Sequence, residues 1–213
     1  HVLTGANTDP ELQKVQQEEA PKMAANDGAI YLNSKLFKRV EAIYDQRDKL
    51  NLDPESNKLV EYYYQKFLLA GAKLSDADKD KLKKLNEESA SLSAQFMRQL
   101  LAATKAGALA VSDSTELAGL SSGKMDAAAQ AAKANNMEGK WLIPLQNTTQ
   151  QPDLASLSNR ATRQKLFDAS WTRAEKNDSN DTRKTIARIA EIRAQQAKLL
   201  GFKNYAEWKL QNQ

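Results

Sequence analysis

Apolar residues recur at intervals of three and four along most of this chain, the spacing that places side chains on one face of an α-helix. Asp9 and Asp53 are each followed by proline, a combination typical of helix starts. Ser75, with Asp78 three residues later, has the form of a capping box and opens what should be the longest helix, ending near Ala106. The pattern therefore predicts a mainly α fold.

Three helical stretches carry apolar stripes that predict which side chains are buried. The first runs from Ile30 to Leu50 and restarts after a cap at Asn33 or Ser34, the second begins at Leu157 and breaks at Asn177, and the third follows Asp181. The side chains expected in the core are Ile30, Leu36, Phe37, Val40, Ile43, Tyr44 and Leu50 in the first stretch, Leu157, Ala161, Leu166, Phe167, Ser170 and Trp171 in the second, and Ile186, Ile189, Ala190, Ala197 and Leu200, beside Arg193, in the third.

Other patterns predict how the elements pair. The longest helix has heptad spacing, which predicts antiparallel pairing with a neighbouring helix, at Leu82, Leu85, Ser89, Leu92 and Phe96. Two short apolar runs, 108–111 and 141–145, flank an alanine-rich helix at 124–135 and are expected to pair as strands. The predicted fold is mainly α, a multi-helix antiparallel array with one small two-stranded β ribbon. We expect residues 1–213 to form a single helical domain, with residues 1–8 disordered.

The last part of the chain has clear helix boundaries. Asp181 is typical of a helix start, and Gly201 is typical of a helix that ends near Leu200. Asn204, followed by Glu207 three residues later, forms a second capping-box pattern and predicts a helix that begins at residue 205. Because that helix starts close to the last residue, and because residue 1 is not an initiator methionine, we expect the chain to be a piece of a longer protein.

The same region carries a resemblance to a known family. Residues 188–210, RIAEIRAQQAKLLGFKNYAEWKL, follow the segment NRATRQKLFDASWTRAEKND at 159–178. Together they resemble the segment upstream of the catalytic domain in zinc metallopeptidases of the thimet oligopeptidase and oligopeptidase A family, most closely its peptidyl-dipeptidase (dipeptidyl carboxypeptidase) branch. The similarity continues through WLIPLQNTTQQPDL, ELAGLS, LAGAKLSDADKDKLKKLNEESASLSAQF and NDGAIYLNSKLF, and so covers nearly the full chain.

The resemblance implies the N-terminal helical region of an enzyme that releases C-terminal dipeptides from oligopeptides. This chain would then form a wall of the substrate channel, with oligopeptides and the C-terminal catalytic part of the same enzyme as its partners. The family's zinc is held by a His-Glu-x-x-His helix and a further glutamate. The only histidine of this sequence is His1, so no catalytic or metal-binding residue of the family is expected here and zinc belongs to the parent enzyme.

Five arginines are the candidate substrate-channel residues: Arg160, Arg163, Arg173, Arg183 and Arg193. A guanidinium group binds a carboxylate through two parallel hydrogen bonds, and a peptidyl-dipeptidase must recognise the free C-terminus of its substrate. The alternative is that these arginines lock the helices together through ion pairs with Glu175, Asp178, Asp181 and Glu191. We favour the ion-pair interpretation, because the sequence alone does not distinguish a channel-facing arginine from a buried ion pair.

Charge and composition argue against several other classes. The 31 basic and 27 acidic residues are spread along the chain and leave a net charge of +4, which does not indicate a nucleic-acid surface. The absence of cysteine excludes disulfides and thiolate chemistry. No apolar run approaches the roughly 18 residues that span a bilayer, so no membrane partner is expected. We favour a cytoplasmic location, with a periplasmic one as the alternative.

A free-standing helical protein-interaction module is the alternative function. The gene beyond residue 213 distinguishes the two functions, because a downstream His-Glu-x-x-His motif fits only the peptidase. A chain separated from a larger enzyme would also expose apolar faces that the rest of the enzyme normally covers. Homodimerisation through such an exposed interface is therefore a further expectation.

Overall fold

The structure, a computed structural model, describes residues 9–211, and in this range it is mainly helical with one small ribbon, as predicted. The predicted disorder of residues 1–8, which include His1, lies outside the described residues. The elements in chain order are α1 (Pro10–Tyr31), α2 (Ser34–Gln46), α3 (Pro54–Ala70), α4 (Asp76–Ala106), β1 (Leu109–Val111), α5 (Ser122–Ala134), β2 (Trp141–Ile143), α6 (Gln150–Ser156), α7 (Arg160–Trp171), α8 (Arg183–Leu199) and α9 (Tyr205–Lys209), with short 3-10 helices at Arg47–Lys49 and Ser114–Leu117.

The described residues form two compact units. The first consists of Asp9–Gln95 together with residues 185–211, and the second consists of Phe96–Lys184. The chain leaves the first unit within α4 and returns to it near the start of α8. The expectation of a single domain over residues 1–213 stays a prediction.

Side-chain caps confirm the predicted helix starts. Asp9 Oδ1 accepts a hydrogen bond from the amide of Glu11 at 2.8 Å, and Asp53 Oδ1 accepts one from the amide of Ser56 at 3.0 Å. Ser75 Oγ accepts from the amide of Asp78 and donates to its carboxylate. These bonds satisfy amides that the first turn of a helix leaves without intrahelical partners. The starts were predictable because each cap depends on residues only two or three positions apart.

Aromatic side chains form the core of the first unit. Phe37 on α2 and Phe67 on α3 are both buried, and their ring centroids are 5.9 Å apart. Beside them the rings of Tyr44 and Tyr64 stack with a centroid distance of 3.8 Å. Helix α2 is thus held against α3 by ring contacts, the kind of contact that contributes more than the area it buries.

Polar side chains connect α4 with α8 inside the first unit. Gln196 Nε2 donates to Asn86 Oδ1 at 2.8 Å, and Gln95 Nε2 donates to Thr185 Oγ1 at 3.4 Å. Since the residue number falls along α8 as it rises along α4, the two helices are antiparallel. This direction agrees with the antiparallel neighbour that the heptad spacing predicts, although these bonds are made by polar residues between the heptad positions.

The ribbon of the second unit packs on an apolar core. Strands β1 and β2 are antiparallel, with Leu109 opposite Ile143 and Val111 opposite Trp141, which confirms the predicted pairing. Pro144 follows the last residue of β2, where its missing amide costs no ladder hydrogen bond. The buried residues of this core are Val111, Leu117, Ile143, Leu145, Leu157 and Leu166.

Two turns meet closely at the edge of this core. The carbonyl oxygen of Ala118 accepts hydrogen bonds from the amide and the hydroxyl of Ser158, at 2.8 and 2.9 Å. The adjacent Gly119 has a φ of +97°, and a Cβ atom at this position would lie 2.2 Å from the carbonyl oxygen of Ser156. Only glycine allows this conformation and this approach together.

The predicted buried stripes are correct only in part. Phe37, Leu157, Leu166 and Ala197 are buried, and Trp171 is 74% exposed. The other predicted core residues that are exposed are Ile30, Leu36, Ile43, Leu50, Ala161, Phe167, Ile186 and Ala190. In α8 the buried residues are Thr185, Ile192, Gln196 and Ala197, so the packed face is rotated from the predicted one. Periodicity identifies an apolar stripe, whereas the neighbouring elements decide which part of it is covered.

Thr162 on α7 provides a test of the second core. It is 0% exposed, and its hydroxyl has no hydrogen-bond partner among the described residues. Valine has the same shape without the hydroxyl, so Thr162→Val should raise the free energy of unfolding by about 1 kcal/mol. Thr182→Val is the matched control, because the buried Thr182 hydroxyl donates to Ala174 O at 3.3 Å. Loss of this hydrogen bond should lower the free energy of unfolding. Urea unfolding of both variants checks this, and a destabilised Thr162→Val would contradict it.

Candidate functional site

The five predicted channel arginines lie in different surroundings. Arg193 is on α8 in the first unit, and the other four belong to the second unit. The side chains of Arg160 and Arg173 make no hydrogen bond or ion pair with any residue in the range 9–211. Arg163 Nη1 donates to Leu157 O at 2.6 Å, at the C-terminal end of α6. That these arginines line a substrate channel stays a prediction.

Arg183 is held at the N-terminal end of α8. Its Nε donates to both carboxylate oxygens of Asp181, at 3.0 and 3.1 Å, and its Nη2 donates to Asn177 Oδ1 at 2.6 Å. The hydrogen bonds from the side chain and the amide of Arg183 to Asp181 hold the pKa of that carboxyl group far below its ordinary value. For Arg183 and Asp181 the geometry is that of the ion-pair alternative. Helix α7 ends at Trp171, earlier than the break of the apolar pattern at Asn177 predicts. The turn between α7 and α8 contributes Asn177 and Asp181 to this cluster.

Arg188 makes an ion pair that the sequence analysis missed. Its Nε and Nη2 donate to the two carboxylate oxygens of Glu88, at 2.7 and 2.8 Å, and Nη1 donates to Glu191 at 3.0 Å. The guanidinium group lowers the pKa of Glu88 by these hydrogen bonds. The spacing of Arg188 and Glu191 on one helix could have indicated their contact. No local signal indicates Glu88, which is a hundred residues away along the chain.

A cavity of about 470 Å³ lies within the first unit. Its wall includes Lys66 from α3 and Lys209 from α9, each close to an aromatic ring. Lys66 Nζ lies 4.5 Å from the ring centroid of Tyr31, and Lys209 Nζ lies 3.7 Å from that of Trp208. The Trp208 ring is fixed because its Nε1 donates to Leu69 O at 2.9 Å.

Positive charge accumulates at the α9 side of this cavity. The guanidinium carbon of Arg193 lies 4.8 Å from the ring centroid of Tyr205, and Lys209 Nζ lies 5.5 Å from the same centroid. Partial burial and then the charge of Arg193 lower the pKa of Lys209, whereas the nearby Tyr31 hydroxyl raises the pKa of Lys66. No carboxylate of residues 9–211 lies within 4 Å of these three cations.

The described residues do not fit a zinc site. Between residues 9 and 211, no group of three or more His, Cys, Asp or Glu side chains is placed to hold a metal ion. The sequence has no cysteine and its single histidine is at position 1, so residues 9–211 contain none of the usual nitrogen and sulfur ligands of zinc. In the same range, every helix is too short or too polar to cross a membrane.

Comparison with known proteins gives a consistent family relationship. Residues 154–213 match the profile of peptidase family M3. The dipeptidyl carboxypeptidases of Escherichia coli (strain K12) and Salmonella typhimurium are each 54% identical to this chain over 211 residues, which are 99% of the chain and 31% of each of those proteins.

More distant similarity extends to plants. A probable cytosolic oligopeptidase A of Arabidopsis thaliana is 29% identical over 211 residues, which are 96% of this chain and 30% of that protein. The chain therefore spans about a third of the length of the curated relatives that it matches.

Proposed function

We propose that this chain, which belongs to peptidase family M3, is the helical part of a zinc metallopeptidase that releases C-terminal dipeptides from oligopeptides. The observation that carries the proposal is the 54% identity with two dipeptidyl carboxypeptidases over 99% of this chain. In this proposal the chain forms one wall of the substrate channel, which admits short unfolded peptides and excludes folded proteins. The zinc and the catalytic residues belong to the part of the enzyme outside this chain.

Exposed apolar side chains support association with that other part. The stacked pair of Phe167 and Trp171 on α7 is 46% and 74% exposed, and its ring centroids are 5.6 Å apart. In the first unit Ile43 is 48% exposed. Aromatic side chains that are surrounded by water in one polypeptide are typical of a surface that another segment covers. The alternative is that two copies of this chain form a homodimer through the same surfaces.

Arg160 and Arg173 are the channel arginines that we propose for contact with substrate. Arg163 and Arg183 already donate to groups of their own unit, at Leu157 and Asp181. Arg160 and Arg173 make no such bonds within residues 9–211, so their guanidinium groups remain available for a peptide carboxylate. A cytoplasmic location, where short peptides are supplied by other proteases, suits this function.

A two-polypeptide experiment tests this function. The chain and the remaining two thirds of the enzyme, produced separately and mixed with zinc, should associate and release a C-terminal dipeptide from a blocked tetrapeptide. Trp171→Ser should weaken the association at least tenfold, because a buried aromatic anchor contributes about 2 kcal/mol or more. Lys176→Ser, at an exposed position of the following turn, is the control and should bind as the unchanged chain does.

Each negative result has a distinct meaning. Absence of dipeptide release from the mixture, when the continuous protein is also inactive, would contradict the peptidase function. Unchanged association of Trp171→Ser would contradict docking through α7 only. A native gene that stops after residue 213, with no downstream His-Glu-x-x-His motif, would favour the free-standing interaction module.

A further inference from the structure

The cavity of the first unit has the charge and the walls of a ligand site. We propose that it binds a small organic anion, with Lys66 and Lys209 holding its carboxylate or phosphate group and the rings of Tyr31 and Trp208 contacting its body. The proposal stands on residues of this chain alone and does not depend on the peptidase function. Both lysines and both rings line the same cavity.

Electrostatics favours an anion over a neutral or cationic ligand. Lys66 and Lys209 line the cavity together with one carboxylate, that of Asp27, and no carboxylate in the described part of the chain lies within 4 Å of either ammonium group. Arg193 adds a third positive charge near Lys209, on the Tyr205 ring. A partly buried ammonium group close to another cation is destabilised in its charged form, and a bound anion would remove that penalty.

The remaining walls suit an organic ligand with a flat or apolar body. Tyr31, Tyr205 and Trp208 offer aromatic surface, and each has a cation against its ring. Ser89 and Ser93 on α4 supply hydroxyl groups that donate or accept hydrogen bonds. Polar groups interspersed with apolar and aromatic side chains, as in this wall, orient a ligand in small-molecule sites.

The size and rigidity of the cavity also fit a small molecule. A volume of about 470 Å³ lies within the range of about 300–1,000 Å³ that such sites have. Trp208 is fixed by its bond to Leu69 O, and the amide side chains of Asn86 and Gln196 in the wall are fixed by their mutual bond of 2.8 Å. A wall that is already ordered loses little conformational entropy on binding.

Calorimetry with the 213-residue chain tests the proposal. The probes are phthalate, a flat dicarboxylate, and adenosine monophosphate, with uncharged adenosine and benzamide as comparisons. At least one of the two anions should bind with a dissociation constant of about 1 mM or lower, and the uncharged compounds should bind at least tenfold more weakly. Binding of phthalate alone would identify a carboxylate site, and binding of the nucleotide alone a phosphate site; either result supports the proposal.

Variants locate the binding at the two lysines. Lys66→Met and Lys209→Met should each weaken anion binding about tenfold, whereas Lys209→Arg keeps the charge and should bind nearly as the unchanged chain does. Lys198→Met removes an exposed lysine of α8 that does not line the cavity, and serves as the matched control. Circular dichroism confirms that each variant is folded.

A second readout is independent of the lysine variants. In a chain with Trp141→Phe and Trp171→Phe, Trp208 is the only tryptophan, and its fluorescence should change on addition of the binding anion but not of benzamide. The proposal is overturned if neither anion binds at about 10 mM, if adenosine binds as tightly as its monophosphate while phthalate does not bind, or if Lys66→Met and Lys209→Met bind as the control does.

Discussion

The chain supplied with zinc is expected to release no dipeptide from a blocked tripeptide or tetrapeptide. Zinc catalysis in peptidases needs a metal that is held by about three protein ligands and that activates a water molecule. This sequence has one histidine, at position 1, and no cysteine. Carboxylates alone bind zinc weakly, so turnover should stay at the level of the buffer, many orders of magnitude below that of a complete zinc peptidase.

Chromatographic detection of the released dipeptide checks this expectation. The proposed longer enzyme, which would continue beyond residue 213, is the positive control and should be inhibited by a chelator. Chelator-sensitive turnover that co-purifies with the 213-residue chain and persists after removal of His1 would mean that the chain itself holds a catalytic site. The proposal that this chain forms only a channel wall, with catalysis in another part of the enzyme, would then be wrong.

Gly119→Ala should be among the most destabilising single substitutions in the second unit. Its Cβ would lie 2.2 Å from Ser156 O and 2.8 Å from Ser158 N, and the φ of +97° is unfavourable for any residue with a Cβ. Relief of the clash requires the turn at Ala118 to separate from Ser158, which breaks two hydrogen bonds. We expect the free energy of unfolding to fall by about 3 kcal/mol or more, measured by urea denaturation.

Gly123→Ala is the matched control for that substitution. Gly123 lies in the first turn of α5, and a Cβ there would meet no atom within 4 Å. Alanine restricts the unfolded chain more than glycine does, so the free energy of unfolding of this variant should rise by about 0.5 kcal/mol. Equal effects of the two substitutions would show that the approach of residues 118–119 to 156–158 does not limit stability.

The elements of this fold were predictable wherever their signals are local. The cap of Asp9 on the Glu11 amide and the bond from the amide of Glu207 to Asn204 join residues two or three positions apart, and the corresponding helices begin where the sequence indicates. The ribbon was predictable for a related reason, since both strands are apolar runs between clear breaks. Such signals do not depend on what the rest of the chain does.

The covered face of each helix was not predictable in the same way. Trp171 belongs to an apolar stripe but is 74% exposed, while the polar Gln196 is 5% exposed because it donates to Asn86 on another helix. The stripe records every apolar residue, including those that we propose to contact a part of the enzyme outside this chain. Burial depends on partners that are distant in sequence, as the pairing of Arg188 with Glu88 also illustrates.

The cavity in the first unit lies near one residue that the sequence indicated and is lined by two that it did not indicate. Arg193 was selected from the sequence as a carboxylate-binding residue, and the structure finds it against Tyr205, near a cavity that carries Lys66 and Lys209. Neither lysine stands out in the sequence, because lysines are frequent and these two are separated by more than a hundred residues. Only the packing of α3 and α9 around one cavity brings them to a common site.

The ribbon has a consequence for how the second unit folds. Pairing of Val111 with Trp141 closes a loop of about thirty residues. The contacts of two strands of three residues do not offset the entropic cost of closing such a loop. Helix α5 lies inside this loop and forms by local contacts, so it shortens the distance that the chain must close. We therefore expect α5 to form before β1 and β2 pair when the second unit folds.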